Sequence, residues 1–88
     1  MSRPTFEELV ALEPRLAGLL AEARELRRRR PRLDVNKVFY GYGRHRPGFK
    51  RRLSELVGWA SGREGVLGSK EAYEVVYRIV YQALAGGK

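Results

Sequence analysis

Apolar residues recur at Leu9, Leu12, Leu16, Leu19, Ala23 and Leu26, a 3-4-3-4-3 spacing that runs for almost three heptads. A stripe of that period follows one face of an α-helix and is buried only by packing against other helices. Phe6 and Leu20 widen it, and Pro14 stands in its middle. Proline in a helix interior costs about 3 kcal/mol, because it removes one hydrogen bond and clashes with the carbonyl four residues back. The apolar phase passes through Pro14 unshifted, so two arrangements fit. One is a single kinked helix. The other is a short helix over 6–12 and a longer one over 14–30 with Pro14 as its first residue. The residue before a proline avoids the α region, which favours two segments.

The rest of the chain follows the same helical logic. Thr5 and Glu8 form a capping box for the first helix. Asp34 caps a short helix over 35–40 with Val35, Val38 and Phe39 facing inward, and Gly41 ends it. A short strand is the alternative there, since Val, Phe and Tyr favour both. Residues 41–48 are a loop by composition. Phe49, Leu53, Leu56, Val57 and Ala60 make one face of a helix over 48–60, with Lys50 and Arg51 pointing away and Arg52 and Trp59 flanking. Residues 61–68 are a second glycine-rich loop, with Val66 and Leu67 tucked inward. Ser69 caps a last helix over 70–85, whose face of Ala72, Val75, Val76, Ile79, Val80, Ala83 and Leu84 is flanked by Tyr73, Tyr77 and Tyr81. That arc exceeds half the circumference, so this helix lies centrally or at an oligomer contact.

The expected fold is therefore all-α, a compact bundle of four or five helices with two Gly-rich loops. At 88 residues, 1–88 reads as a single helical domain with one modest core. Helices 14–30, 48–60 and 70–85 supply that core, and Trp59 closes one edge of it. The composition, 43% hydrophobic and 32% charged, is that of a globular chain. The chain has no cysteine, which excludes disulfide scaffolds, thiolate metal sites and cysteine nucleophiles. No apolar run is long enough for a membrane span. The N-terminal Met-Ser-Arg-Pro-Thr-Phe-Glu-Glu is acidic where a signal peptide is apolar, so a cytoplasmic location is expected.

The net charge is +8, and it is segregated. Residues 24–52 hold twelve basic residues against Glu25 and Asp34, a local excess of +10, while the remainder of the chain is −2. Segregated charge makes a directed field. Arginine outnumbers lysine 14 to 4, and the guanidinium fork suits phosphate oxygens. A GC-rich genome would also raise arginine, and the single Asn36 and Gln82 fit a thermophile, but neither segregates charge. Tyr40, Tyr42 and His45 are interleaved with the cations, offering flat surfaces on which bases stack.

Competing chemistry is weaker. The helices at 49–60 and 70–85 are about nine residues apart, where a helix-turn-helix uses about 3–4. Gly41-Tyr42-Gly43 is half a dinucleotide fingerprint without a βαβ unit around it. His45, the single histidine, sits between two arginines, which disfavours a metal, and it has no partner for nucleophilic catalysis. No cofactor is expected. Arg24 to Arg32 would attract an anionic membrane surface, but the apolar stripe of that helix is committed to the core.

The expectation is a non-catalytic nucleic-acid-binding protein, RNA or DNA, with weak sequence specificity. Arg27, Arg28, Arg29, Arg30 and Arg32 form one phosphate-contacting end. Lys37, Arg44, Arg46, Lys50, Arg51 and Arg52 form the other, and Tyr40, Tyr42 and His45 are the stacking candidates. The alternative is a protein-interaction module or homodimer whose basic face docks on an acidic partner. Two features separate these readings: whether Tyr40 and Tyr42 are exposed, and whether 27–32 and 44–52 share a surface.

Overall fold

The computed structural model describes residues 4–57 and 70–86. Within them the chain is helical: α1 (Phe6–Leu12), α2 (Arg15–Arg29), α3 (Val35–Tyr40), a 3₁₀ turn (Gly43–His45), α4 (Phe49–Val57) and α5 (Lys70–Leu84). The all-α bundle is as the apolar periodicity predicts. Trp59, Ala60, the loop over 61–68 with Val66 and Leu67, and the Ser69 cap lie outside the described residues.

Local chemistry sets the helix ends. The Thr5 hydroxyl accepts from the Glu8 amide at 3.1 Å, and the Glu8 carboxylate accepts from the Thr5 amide at 2.8 Å. This closes the capping box and holds the Glu8 carboxyl below its usual range. The chain breaks at Glu13, whose non-helical φ of −139° and ψ of 88° accord with the proline after it, which disfavours the α region. Pro14 borders α2 in a helical conformation. Glu13 also closes the start of α2. Its carboxylate accepts the Arg15 amide at 3.2 Å and the Arg15 guanidinium at 2.8 and 2.7 Å. Glu13 is 5% exposed, and these bonds, the guanidinium's foremost, hold its carboxyl below the usual range. For α3, Asp34 accepts the Lys37 amide at 3.1 Å and Gly41 ends the helix with φ 82°. Residues 35–40 are thus a helix, not a strand.

The break at Pro14 corrects one part of the predicted seam. Leu9, Leu16, Leu19 and Ala23 are buried and Leu26 is half-buried, but Leu12 is 63% exposed. The non-helical residue after Leu12 breaks the helix, so α1 and α2 do not share one continuous face.

Helix α5 is central, packing against α1, α2, α3 and α4. It buries Ala72, Tyr73, Val76, Val80 and Leu84, which accounts for its broad apolar arc. Phe39 of α3, fully buried, meets the Tyr40, Tyr77 and Tyr81 rings at 5.3, 4.8 and 5.3 Å, each near perpendicular. Edge-on contact sets the positive rim of one ring against the negative face of another. Phe49 and Leu53 bring α4 onto the same core. Phe39→Ala should lower stability by about 3–5 kcal/mol, read from the urea midpoint of the helical circular-dichroism signal.

Candidate nucleic-acid interface

The loop between α3 and α4 is closed by two glycines. A Cβ on Gly41 would lie 2.5 Å from the Gly48 nitrogen. A Cβ on Gly48 would lie 2.5 Å from both the Gly41 nitrogen and the Phe39 carbonyl oxygen. Only backbone fits where the two strands of chain touch, and the left-handed φ at Gly41 adds a second reason for glycine there. Residues 42–47 are thereby held out as a closed loop, with the His45 amide donating to the Tyr42 carbonyl at 3.2 Å. The loop has a cleft on either side, and Pro47 lines both.

The first cleft is shallow and lined by Tyr40, Gly41, Arg46, Pro47, Gly48, Arg51 and Glu55. Tyr40 is 38% exposed and Tyr42 59%. Their rings are stacked with centroids 6.4 Å apart and planes 27° from parallel. The Lys50 ammonium sits 5.2 Å above the Tyr40 ring, a cation–π contact. The Tyr40 hydroxyl is 2.6 Å from that of Tyr77. Tyr77 in turn stacks on Tyr81 with planes 1° apart, and the Tyr81 hydroxyl donates to Asn36 Oδ1 at 2.8 Å. The bond from Tyr40, aided by partial burial, pushes the Tyr77 phenol up from 10.0 to about 12.

The second cleft runs between the loop and α2, lined by Glu22, Glu25, Leu26, Arg29, Val38, His45, Pro47, Phe49 and Arg52. The two halves of the basic segment meet here, with Arg29 on one wall and His45 and Arg52 on the other. Acids answer most of this charge. Glu25 binds Arg28 through bonds of 3.1 and 2.6 Å and lies 3.6 Å from Arg29, and Arg28, foremost, holds the Glu25 carboxyl below its usual range. Glu22 pairs with Arg52, whose guanidinium also covers the Phe49 ring at 5.4 Å. His45 lies in this cleft and not among the residues lining the tyrosine cleft.

The predicted site residues therefore separate. Arg28, Arg29 and Arg52 are ion-paired. Arg27 is half-buried, and a Cβ on Gly86 would come within 2.9 Å of its Nε. That places its charge at the C-terminal end of α5, where the helix dipole favours a cation. Arg30, Arg32, Lys37, Arg44, Arg46, Lys50 and Arg51 are exposed and make no ion pair with the described residues. Sequence reasoning missed Tyr77, Glu22 and Glu25 as parts of the arrangement. Glu25 carried a signal, lying three and four residues before Arg28 and Arg29. Glu22 and Arg52 are 30 residues apart and carried none.

No group of three or more His, Cys, Asp or Glu side chains gathers into a metal-binding cluster among the described residues. No described helix is long and apolar enough to cross a membrane. Comparison with protein-family models, with curated proteins and with solved structures finds no match.

Two outcomes test this geometry. Gly48→Ala should destabilise the fold by about 1–3 kcal/mol, since neither backbone neighbour can yield without moving α3 or α4. Tyr77 should ionise late in a spectrophotometric titration, and Tyr40→Phe should return it toward 10.0. Because its neutral form is favoured in the folded state, the contribution of Tyr77 to stability is complete below pH 10.0. It is lost as the pH rises toward about 12.

Proposed function

We propose that this protein binds nucleic acid without catalysis, through phosphate contacts and with weak sequence specificity. The observation that carries the reading is a group of five exposed cations, Lys37, Arg44, Arg46, Lys50 and Arg51, that make no ion pair with the described residues and lie on or next to a loop that also exposes two tyrosine rings. Arg44, Arg46, Lys50 and Arg51 all lie on or next to the closed loop, and Lys37 is on α3 next to it in sequence. Arg30 and Arg32 flank a depression at the end of α2. Guanidinium and ammonium groups that the fold leaves unanswered are available to phosphate oxygens. Weak specificity follows from the exposed geometry, since phosphate contacts carry no sequence information.

A protein-interaction module or homodimer is the second reading. The observation that favours it is a largely apolar groove between α1, α2 and α5, lined by Phe6, Val10, Ala17, Leu20, Ile79 and Ala83 and edged by Glu7, Arg24 and Gln82.

Anisotropy titrations of labelled oligonucleotides separate the two. Six or more phosphate contacts should make affinity fall by about 10³-fold or more between about 50 and 200 mM salt. Replacing Arg46 and Arg51 with alanine should weaken binding to all sequences alike and lower the salt slope by about 1 per residue. No binding at about 50 mM salt would remove the nucleic-acid reading, since the phosphate term is largest there. The apolar groove would then become the feature to follow.

A further inference from the structure

We infer that the preferred ligand is single-stranded nucleic acid, with one unstacked base seated on the Tyr42 ring. The inference rests on the nucleic-acid reading above and deepens it. Of the two tyrosines, Tyr40 is already engaged: Lys50 covers its ring, Tyr42 stacks beside it, and its hydroxyl bonds Tyr77. Tyr42 is the outer ring of the pair and the more exposed, at 59%. Its backbone is fixed as well, since its amide donates to the Lys37 carbonyl at 3.1 Å. Tyr42 is thus a stacking surface held in place before any ligand arrives, and Tyr40 is the positioning residue behind it.

The charge around this surface matches a strand. Lys50 sits over Tyr40, and Arg46 and Arg51 line the adjoining cleft. A nucleotide offers one flat base and one phosphate per step, so a ring beside cations meets both demands. A duplex meets only one of them, because its base faces are covered by their neighbours along the helix. The ring adds affinity for a single strand and nothing for a closed duplex, whereas the cations serve both. RNA and DNA single strands share this chemistry.

The test compares three probes of equal phosphate count at one salt concentration: single-stranded RNA, single-stranded DNA, and a duplex whose two ends are closed by base-free linkers. Wild-type protein should bind at least one of the single strands more tightly than the duplex. Tyr42→Leu should lower single-strand affinity by roughly 5-fold or more, as expected for losing one base–aromatic stack. It should leave duplex affinity and the salt slope unchanged, while Tyr42→Trp retains the single-strand preference. Thermal melting of each variant checks that the exposed substitution leaves the fold intact. Tyr40→Phe keeps the ring and loses the bond to Tyr77, so it should cost less than Tyr42→Leu. Equal affinity for all three probes, or a Tyr42→Leu loss shared by single strand and duplex, would overturn the inference and leave the phosphate-binding reading standing. Absence of binding to all three at about 50 mM salt, where phosphate contacts are strongest, would remove both.

Discussion

The contact of Phe39 with three tyrosine rings ties the candidate binding face to the core. Helix α3 spans only Val35–Tyr40, too short to persist alone in water. Its side chains Val38 and Phe39 attach it to the core, and Phe39 does so through rings that belong to α5 as well as to α3 itself. Once Phe39 is seated, the next residue in the helix must project beside α5. Tyr40 therefore meets Tyr77, and the chain leaves at Gly41 in a fixed direction. Packing deep in the bundle thus decides where the exposed rings stand.

The arginine-rich segment divides into two populations with different work. Arg28, Arg29 and Arg52 are held by Glu25 and Glu22, and Arg27 lies against the end of α5. The Glu22–Arg52 pair ties α2 to α4 and Arg27 reaches the end of α5, while the Glu25 pairs lie within α2; each such exposed pair adds at most a modest increment. The other cations are left in water with like charges nearby, an arrangement that costs stability through repulsion. The local excess of +10 in sequence overstates the field available to a ligand, because part of it is answered by acids brought in through folding. Glu22 is the clearest case, since it lies outside the basic window and yet neutralises a member of it.

Much of the fold was legible because its signals are local. The Thr5–Glu8 capping box, the Asp34 cap and the Gly41 terminus each depend on residues within a turn of one another, whereas kink and break at Pro14 both fitted the sequence. The exposure of Leu12 was not legible, because periodicity reports the phase of a stripe and not the break at Glu13. Nor was the burial of Glu13, since a carboxylate beside a proline reads as surface until its guanidinium partner folds over it. At the candidate site, residue types were visible and their grouping was not. His45 is next to Arg46 in sequence but lines a different cleft, because the loop turns between them. The Tyr40–Tyr77 bond joins residues 37 apart, and only tertiary structure brings them together.

The touching backbones of Gly41 and Gly48 make residues 42–47 a cassette. The ends of the loop meet within the fold, so the separation of α3 from α4 does not depend on what lies between them. Insertions, deletions or exchanges within the loop leave its two attachment points where they are. The chain can thus change the chemistry it presents on that side of the molecule without reworking its core.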